Sequence, residues 1–278
     1  MSVILSSTLL LGGIGVAGAG LLYVVAKKFY VAEDPRIEEV EALLPGANCG
    51  GCGYNGCHDF ATACCNATSL NGMNCPGAGP AAMEKIASIV GLVADVTVPK
   101  VAVLKCNGTH AARQAIVIYD GAASCALLST VAAPGCRFGC LGQGDCVKVC
   151  RFGALKMDAE TGLPVIDDEK CTACGECVTH CPRKIIELRN KGPRGLRVWV
   201  DCSSRDKGGV AMKLCKSACI GCGKCAKECP HGAIVVENNL AYIDFEKCRL
   251  CRKCVDVCPT HAIHTANFPK PKVKAETL

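Results

Sequence analysis

The chain has 278 residues, 26 of them Cys, a formal net charge of +6 and 4% aromatic residues. So many cysteines in so long a chain, grouped at spacings of two, argue against a small disulfide-stapled secreted domain and for metal-bound thiolates on a reducing side of a membrane. The modest charge, with no long basic run and no basic-aromatic face, speaks against nucleic acid as a partner, and six His are too few for mixed Cys/His zinc fingers.

Ser2 to Ala26 carries no charged residue, and its 25 residues exceed the roughly 20 needed to cross a bilayer. Residues 1–26 are therefore expected to form a transmembrane helix. Lys27 and Lys28 follow at once, which disfavours a cleaved signal and places the rest of the chain on the cytoplasmic side. Gly12, Gly13, Gly15, Gly18 and Gly20 suit close packing against other membrane subunits. A charged linker is expected over 27–37.

Residues 38–80 read as a cluster domain. Cys49-x2-Cys52-x4-Cys57-x17-Cys75 supplies four thiolates, and Gly50, Gly51, Gly53 and Gly56 let the backbone wrap closely. A short helix over His58–Ala67 would turn Phe60 and the Cys64 region inward and return the chain to Cys75. Cys64 and Cys65 read as small buried apolar residues. Residues 81–134 read as a small α/β spacer, with "AAMEKIASIVG" helical and "TVPKVAVLKC" and "QAIVIYDG" as strands.

The strongest signal is a repeat. Cys219, Cys222, Cys225 and Cys229 before Pro230, then Cys248, Cys251, Cys254 and Cys258 before Pro259, are two C-x2-C-x2-C-x3-C-P runs, the bacterial two-cluster ferredoxin pattern. The fourth Cys of each run ligates the other cluster. One set is then Cys219, Cys222, Cys225 and Cys258, the other Cys248, Cys251, Cys254 and Cys229. This unit spans 214–266; "AIVVENNLAYIDF" reads as a hairpin turning at Asn238-Asn239, with "HAIHTA" pairing back beside it.

An earlier copy spans 135–188. Its second run, Cys171, Cys174, Cys177 and Cys181, is regular. Its first run departs: Cys136, Cys140, Cys146 and Cys150 align with Cys215, Cys219, Cys225 and Cys229, so Gln143 falls on Cys222, and Arg151 replaces the proline. Cys136 is the expected replacement ligand, giving Cys136, Cys140, Cys146 and Cys181, beside Cys171, Cys174, Cys177 and Cys150; the alternatives at the first of these sets are a three-iron cluster or none. Five [4Fe–4S] clusters use twenty cysteines. Of the other six, Cys64 and Cys65 are assigned to the core, and the arithmetic leaves room for a sixth cluster from Cys106, Cys125, Cys202 and Cys215. Residues 189–213 read as a linker with a strand at "GLRVWV", and 267–278 as a mobile, solvated tail. The fold class is α+β.

With its N-terminal span, C-x2-C-x4-C-x17-C domain and two ferredoxin units, the whole chain resembles the B subunit of the Rnf complex. The resemblance implies an electron-entry subunit that accepts electrons from soluble reduced ferredoxin. Its membrane complex couples ferredoxin oxidation and NAD reduction to Na+ or H+ export, with NAD and flavin on other subunits. The residues agree: no G-x-G-x-x-G loop follows a strand, no nucleophile–base pair appears, and the six His are scattered. Arg249, Arg252 and Lys253 among the last ligands could attract an acidic ferredoxin. The alternatives are a membrane-tethered polyferredoxin relay without a pump, and a zinc-rich scaffold.

Overall fold

The computed structural model describes residues 2–29, 33–94, 98–114, 120–131 and 135–269. Most of "QAIVIYDG", and the tail from residue 270, lie outside them. Helix α1 (Ser2–Lys28) is long and apolar enough to cross a membrane, over Ser6–Lys28. Its large apolar side chains, Leu9 to Val25, are exposed, and its five glycines have nothing within 4 Å.

The next unit is helical. Asp34 caps α2 (Pro35–Ala42), accepting a hydrogen bond from the Arg36 backbone N–H, and Pro35 sits in the first turn, where its missing donor costs nothing. Helix α3 (Cys57–Asn66) buries Phe60, Ala61 and Cys64, and α4 (Gly79–Val90) buries Met83, Ile86 and Ala87. These residues form one core with Ile37, Val40, Leu44 and Leu70. Helix α4 is the expected "AAMEKIASIVG" helix, but it packs here, on α2 and α3, rather than in a separate spacer.

Two similar halves follow. The first contains β1 (Lys100–Leu104), α5 (Cys125–Val131), α6 (Asp145–Lys148), the hairpin β2 (Leu155–Met157) and β3 (Pro164–Ile166), α7 (Glu176–His180) and β4 (Ile186–Asn190). The second contains β5 (Arg197–Val200), α8 (Gly208–Leu214), α9 (Lys224–Glu228), the hairpin β6 (Ile234–Glu237) and β7 (Leu240–Ile243), α10 (Lys253–Asp256) and β8 (Ile263–Ala266). In each half the first strand pairs antiparallel with the last: β1 with β4 (Ala102 opposite Leu188) and β5 with β8 (Val198 opposite Thr265).

This differs from two expectations. The segment "HAIHTA" pairs with β5 rather than with the hairpin, and "GLRVWV" is that partner strand rather than part of a linker. All four β5 residues are buried, so β5 needs cover that a linker would lack. Likewise β1, in the segment read as a spacer, completes the first ferredoxin-like half. The β6–β7 turn is as expected: Asn238 (φ 49) and Asn239 (φ 61) both adopt the left-handed conformation a two-residue hairpin turn requires.

The halves are joined by buried polar contacts. Arg189 on β4 is 2% exposed; it pairs with Glu187 at 2.8 Å and stacks on Tyr242 and Phe245 of the other half. Arg197 on β5 donates to Asp168 at 2.7 Å. Trp199 Nε1 donates to the carbonyl of Leu104 at 3.0 Å.

Candidate metal centres

The cysteines stand where short loops meet helix starts. In the first unit Cys57 opens α3, and its backbone N–H donates to Asn48 Oδ1 at 2.7 Å. Gly50 (φ 72) and Gly53 (φ 87) turn the loop between Cys49 and Cys57 through left-handed conformations open to glycine. The Cys75 thiol is raised by burial, and Cys52 and Cys57 lie near enough to raise it further. Cys64 is fully buried in the helical core, and Cys65 packs against its edge.

In the ferredoxin-like halves the thiols ring cavities. Cys150, Cys171, Cys174 and Cys177 line one. Cys219, Cys222, Cys225 and Cys258 line a second, and Cys229, Cys248, Cys251 and Cys254 a third. Each holds three cysteines of one run and the fourth of the other, the grouping read from spacing. Backbone donors point at these sulfurs: Ala154 N–H to Cys150 Sγ (3.3 Å), Ala262 N–H to Cys258 Sγ (3.3 Å) and Ala102 N–H to Cys171 Sγ (3.5 Å).

The run with Gln143 departs from expectation. Cys140, Cys146 and Cys181 share a cavity with Cys125, not Cys136. The cause is Asp145, which opens α6 and whose Oδ2 accepts from Ser124 Oγ and from the Ala126 N–H, both at 3.1 Å. That clamp holds the start of α5, and with it Cys125, against Cys146. No motif spacing links Cys125 to Cys146, and the one readable signal was Gln143 vacating its place. Cys136 lines another cavity, between the halves, with Cys106, Cys202 and Cys215 and the edge of Cys140. Cys125 is thus apart from Cys106, Cys202 and Cys215, with which the arithmetic of leftover cysteines had grouped it.

Burial pushes the thiols of Cys140, Cys177, Cys202 and Cys254 up to about 12, and those of Cys106, Cys146 and Cys225 up to about 11. Holding them as thiolates requires a strongly positive centre in each cavity. Among the described residues no three side chains converge tightly enough for a single ion. Zinc would need sulfurs about 3.8 Å apart, from its bond length of about 2.3 Å. Thiols spread around a cavity, with N–H groups aimed at sulfur, fit a multi-atom iron–sulfur cluster. Of the six His, only His231 borders one of these five cavities.

The first unit touches this array at its cluster loop. A side chain at Gly51 would meet the Cys174 carbonyl oxygen at 2.7 Å, so the two cluster loops touch backbone to backbone and only glycine fits. Arg151, in the place of the usual proline, donates to the carbonyls of Ala47 and Asn48 and pins the Cys49 loop to the first ferredoxin-like half.

Comparison with known proteins agrees with this chemistry. A family model described as "4Fe-4S dicluster domain" matches residues 136–185 and 218–262, a second of the same description matches 170–233, and one described as "Putative Fe-S cluster" matches 44–68. The chain is 45% identical to the B subunit of the Na(+)-translocating ferredoxin:NAD(+) oxidoreductase complex of Acetobacterium woodii, over 91% of this chain and 74% of that protein. It is 39% identical to the B subunit of the ion-translocating oxidoreductase complex of Methanosarcina acetivorans, over 94% and 98%. It is 38% identical to the B subunit of the proton-translocating ferredoxin:NAD(+) oxidoreductase complex of Clostridium ljungdahlii, over 90% and 88%.

Proposed function

The chain belongs to the family of B subunits of ion-translocating ferredoxin:NAD oxidoreductase complexes, and on that premise we propose that it takes electrons from reduced ferredoxin at the Cys251 end and delivers them toward the membrane end. It is an iron–sulfur electron-transfer subunit of a membrane oxidoreductase. Its complex couples ferredoxin oxidation and NAD reduction to export of Na+ or H+. Other subunits hold NAD and flavin, and the cluster units face the cytoplasm, in keeping with Lys27 and Lys28 after the span.

The observation that carries this reading is the ringing of cavities by cysteine quartets in both ferredoxin-like halves. Five [4Fe–4S] sites are assigned to Cys49, Cys52, Cys57 and Cys75; to Cys150, Cys171, Cys174 and Cys177; to Cys125, Cys140, Cys146 and Cys181; to Cys219, Cys222, Cys225 and Cys258; and to Cys229, Cys248, Cys251 and Cys254. When bound, such clusters supply one-electron carriers whose potentials follow hydrogen bonding, burial and local charge. The protein's part is to hold them in a row that starts at the membrane-proximal unit, crosses at Gly51 and Cys174, and ends at Cys251.

That far end suits an acidic protein donor. Cys251 is exposed, and Arg249, Arg252 and Lys253 around it are exposed too. Arg252 has φ 64, at the position that Gly144, Gly175 and Gly223 occupy before the other short helices. A non-glycine residue there is strained, and the Arg252 guanidinium stacks on the Phe268 ring, 4.8 Å from its centroid. The test is the triple variant Arg249→Glu, Arg252→Glu, Lys253→Glu in the intact complex. Electron entry from reduced ferredoxin should slow about tenfold or more at low salt, converge with wild type at high salt, and leave iron content unchanged. Unchanged rates with unchanged salt dependence would retire the docking site.

A further inference from the structure

The cavity between the two halves is lined by four cysteines that the five assigned sites leave over: Cys106, Cys136, Cys202 and Cys215. They come in equivalent pairs. Cys106 lies two residues after β1, and Cys202 two residues after β5. Cys136 and Cys215 each stand four residues before the first ferredoxin-type ligand of their half, Cys140 and Cys219. Each half thus contributes the same two thiols.

The surroundings repeat the same two-fold relation. The Gly108 N–H donates to Cys106 Sγ at 3.4 Å, and the Ser204 N–H to Cys202 Sγ at 3.4 Å. The Cys140 N–H donates to Cys106 Sγ at 3.3 Å, and the Cys219 N–H likewise reaches Cys202 Sγ. Across the junction, the Asn107 N–H donates to the Asp201 carbonyl at 3.0 Å and Ser203 Oγ to the Lys105 carbonyl at 2.8 Å. Two sulfurs each receiving two backbone N–H groups is the environment of a cluster thiolate. Arg113 lines the cavity, donates to the Cys140 carbonyl at 3.0 Å, and places a cation beside Cys215.

We infer that Cys106, Cys136, Cys202 and Cys215 bind a sixth [4Fe–4S] cluster on the pseudo-two-fold axis between the ferredoxin-like halves. The inference rests on the iron–sulfur reading above. Cys140 also touches this cavity, but it belongs to the first half's site: moving it would leave three thiols there and five here, and its counterpart Cys219 lines only the second half's cavity. The junction site lies between the two halves of the row, lined by residues of both. Cys140 and Cys219 are ligands in their own halves, and the backbone N–H of each bonds a junction sulfur, so a single residue on either side connects the junction to both halves.

The test is iron and acid-labile sulfide per chain on anaerobically purified full-length protein, with spin counting of the reduced form by electron paramagnetic resonance. Wild type should carry about 24 irons and about six spins, and the Cys202→Ala/Cys215→Ala variant about 20 and five. Cys136→Ala should remove the junction spin, whereas Cys125→Ala should remove one belonging to the first half; Cys64→Ala should match wild type. A wild-type count of about 20 irons overturns the inference even where the variants fail to fold, as does a double variant with wild-type iron or one zinc per chain at the junction. Wild-type protein with almost no iron or sulfide is a different result, and would overturn the cluster reading of the whole chain.

Discussion

The unit over residues 33–94 and the paired halves over 98–269 bind the same chemistry on different foundations. The first has a core of its own: Val40, Phe60 and Ile86, one from each of three helices, and Leu70 from the loop between α3 and α4 are buried to 1% or less, with Cys57, Cys64 and Cys75 buried among them. Among the described residues the halves have two-stranded sheets and α-helices of four to seven residues, and Cys219, Cys225 and Cys254, or Cys146 and Cys177, are buried with the aliphatic side chains between them. Two-stranded sheets are marginal alone. In one region longer helices supply the framework; in the other, short helices and two-stranded sheets depend more on what fills the cavities between them.

Removing iron should separate the two regions most sharply. On anaerobic chelation, hydrogen exchange should become fast throughout β1 to β8, while the centres of α3 and α4 keep slowly exchanging amides. Equal loss of protection in both regions would break the comparison. Next in size is Phe60→Ala, which should cost about 3–5 kcal/mol of local stability, read from exchange of α3 amides, and leave the clusters of the paired halves in place. Loss of iron from those halves would show that the first unit is no independent core. Smallest is Arg189→Ala, at about 2 kcal/mol, because Glu187 keeps Lys105 as a partner at 2.8 Å while the stacking on Tyr242 and Phe245 is lost. Its signature should be looser contact between the halves, seen as faster exchange in β4 and β5 with full iron content.

Legibility followed the same divide between local and distant causes. The regular cysteine runs carry their ligand grouping in their spacing, because a short loop and one helical turn determine where each thiol points. The α3 helix with Phe60 inward, and the Asn238-Asn239 turn, are local in the same sense. What the sequence hid depends on partners far along the chain. β1 and β5 read as spacer and linker because their partners, β4 and β8, come only after both cysteine runs. Cys125 was grouped with Cys106, Cys202 and Cys215 because its placement depends on Asp145, twenty residues on. Cys136 looked like a substitute for the ligand missing at Gln143, although its alignment with Cys215 already paired it with another residue outside the regular runs. Arg151 looked like a defect in a motif and is instead the residue that holds two cluster units together.

The crossing of the proposed ligand sets also implies an order of completion as the chain leaves the ribosome. The first quartet can be filled once Cys75 has emerged. Neither site of the first half can be completed before Cys171 to Cys181, and its closing strand β4 follows directly, so that half becomes a finished object in one stroke. In the second half both sites wait for the last run, ending at Cys258. Between them stand Cys106 and Cys136, made early and exposed to oxidants and stray metals until Cys202 and Cys215 arrive. Filling in the order of synthesis would therefore take the first quartet first, the sites of the first half next, and those of the second half and the junction last.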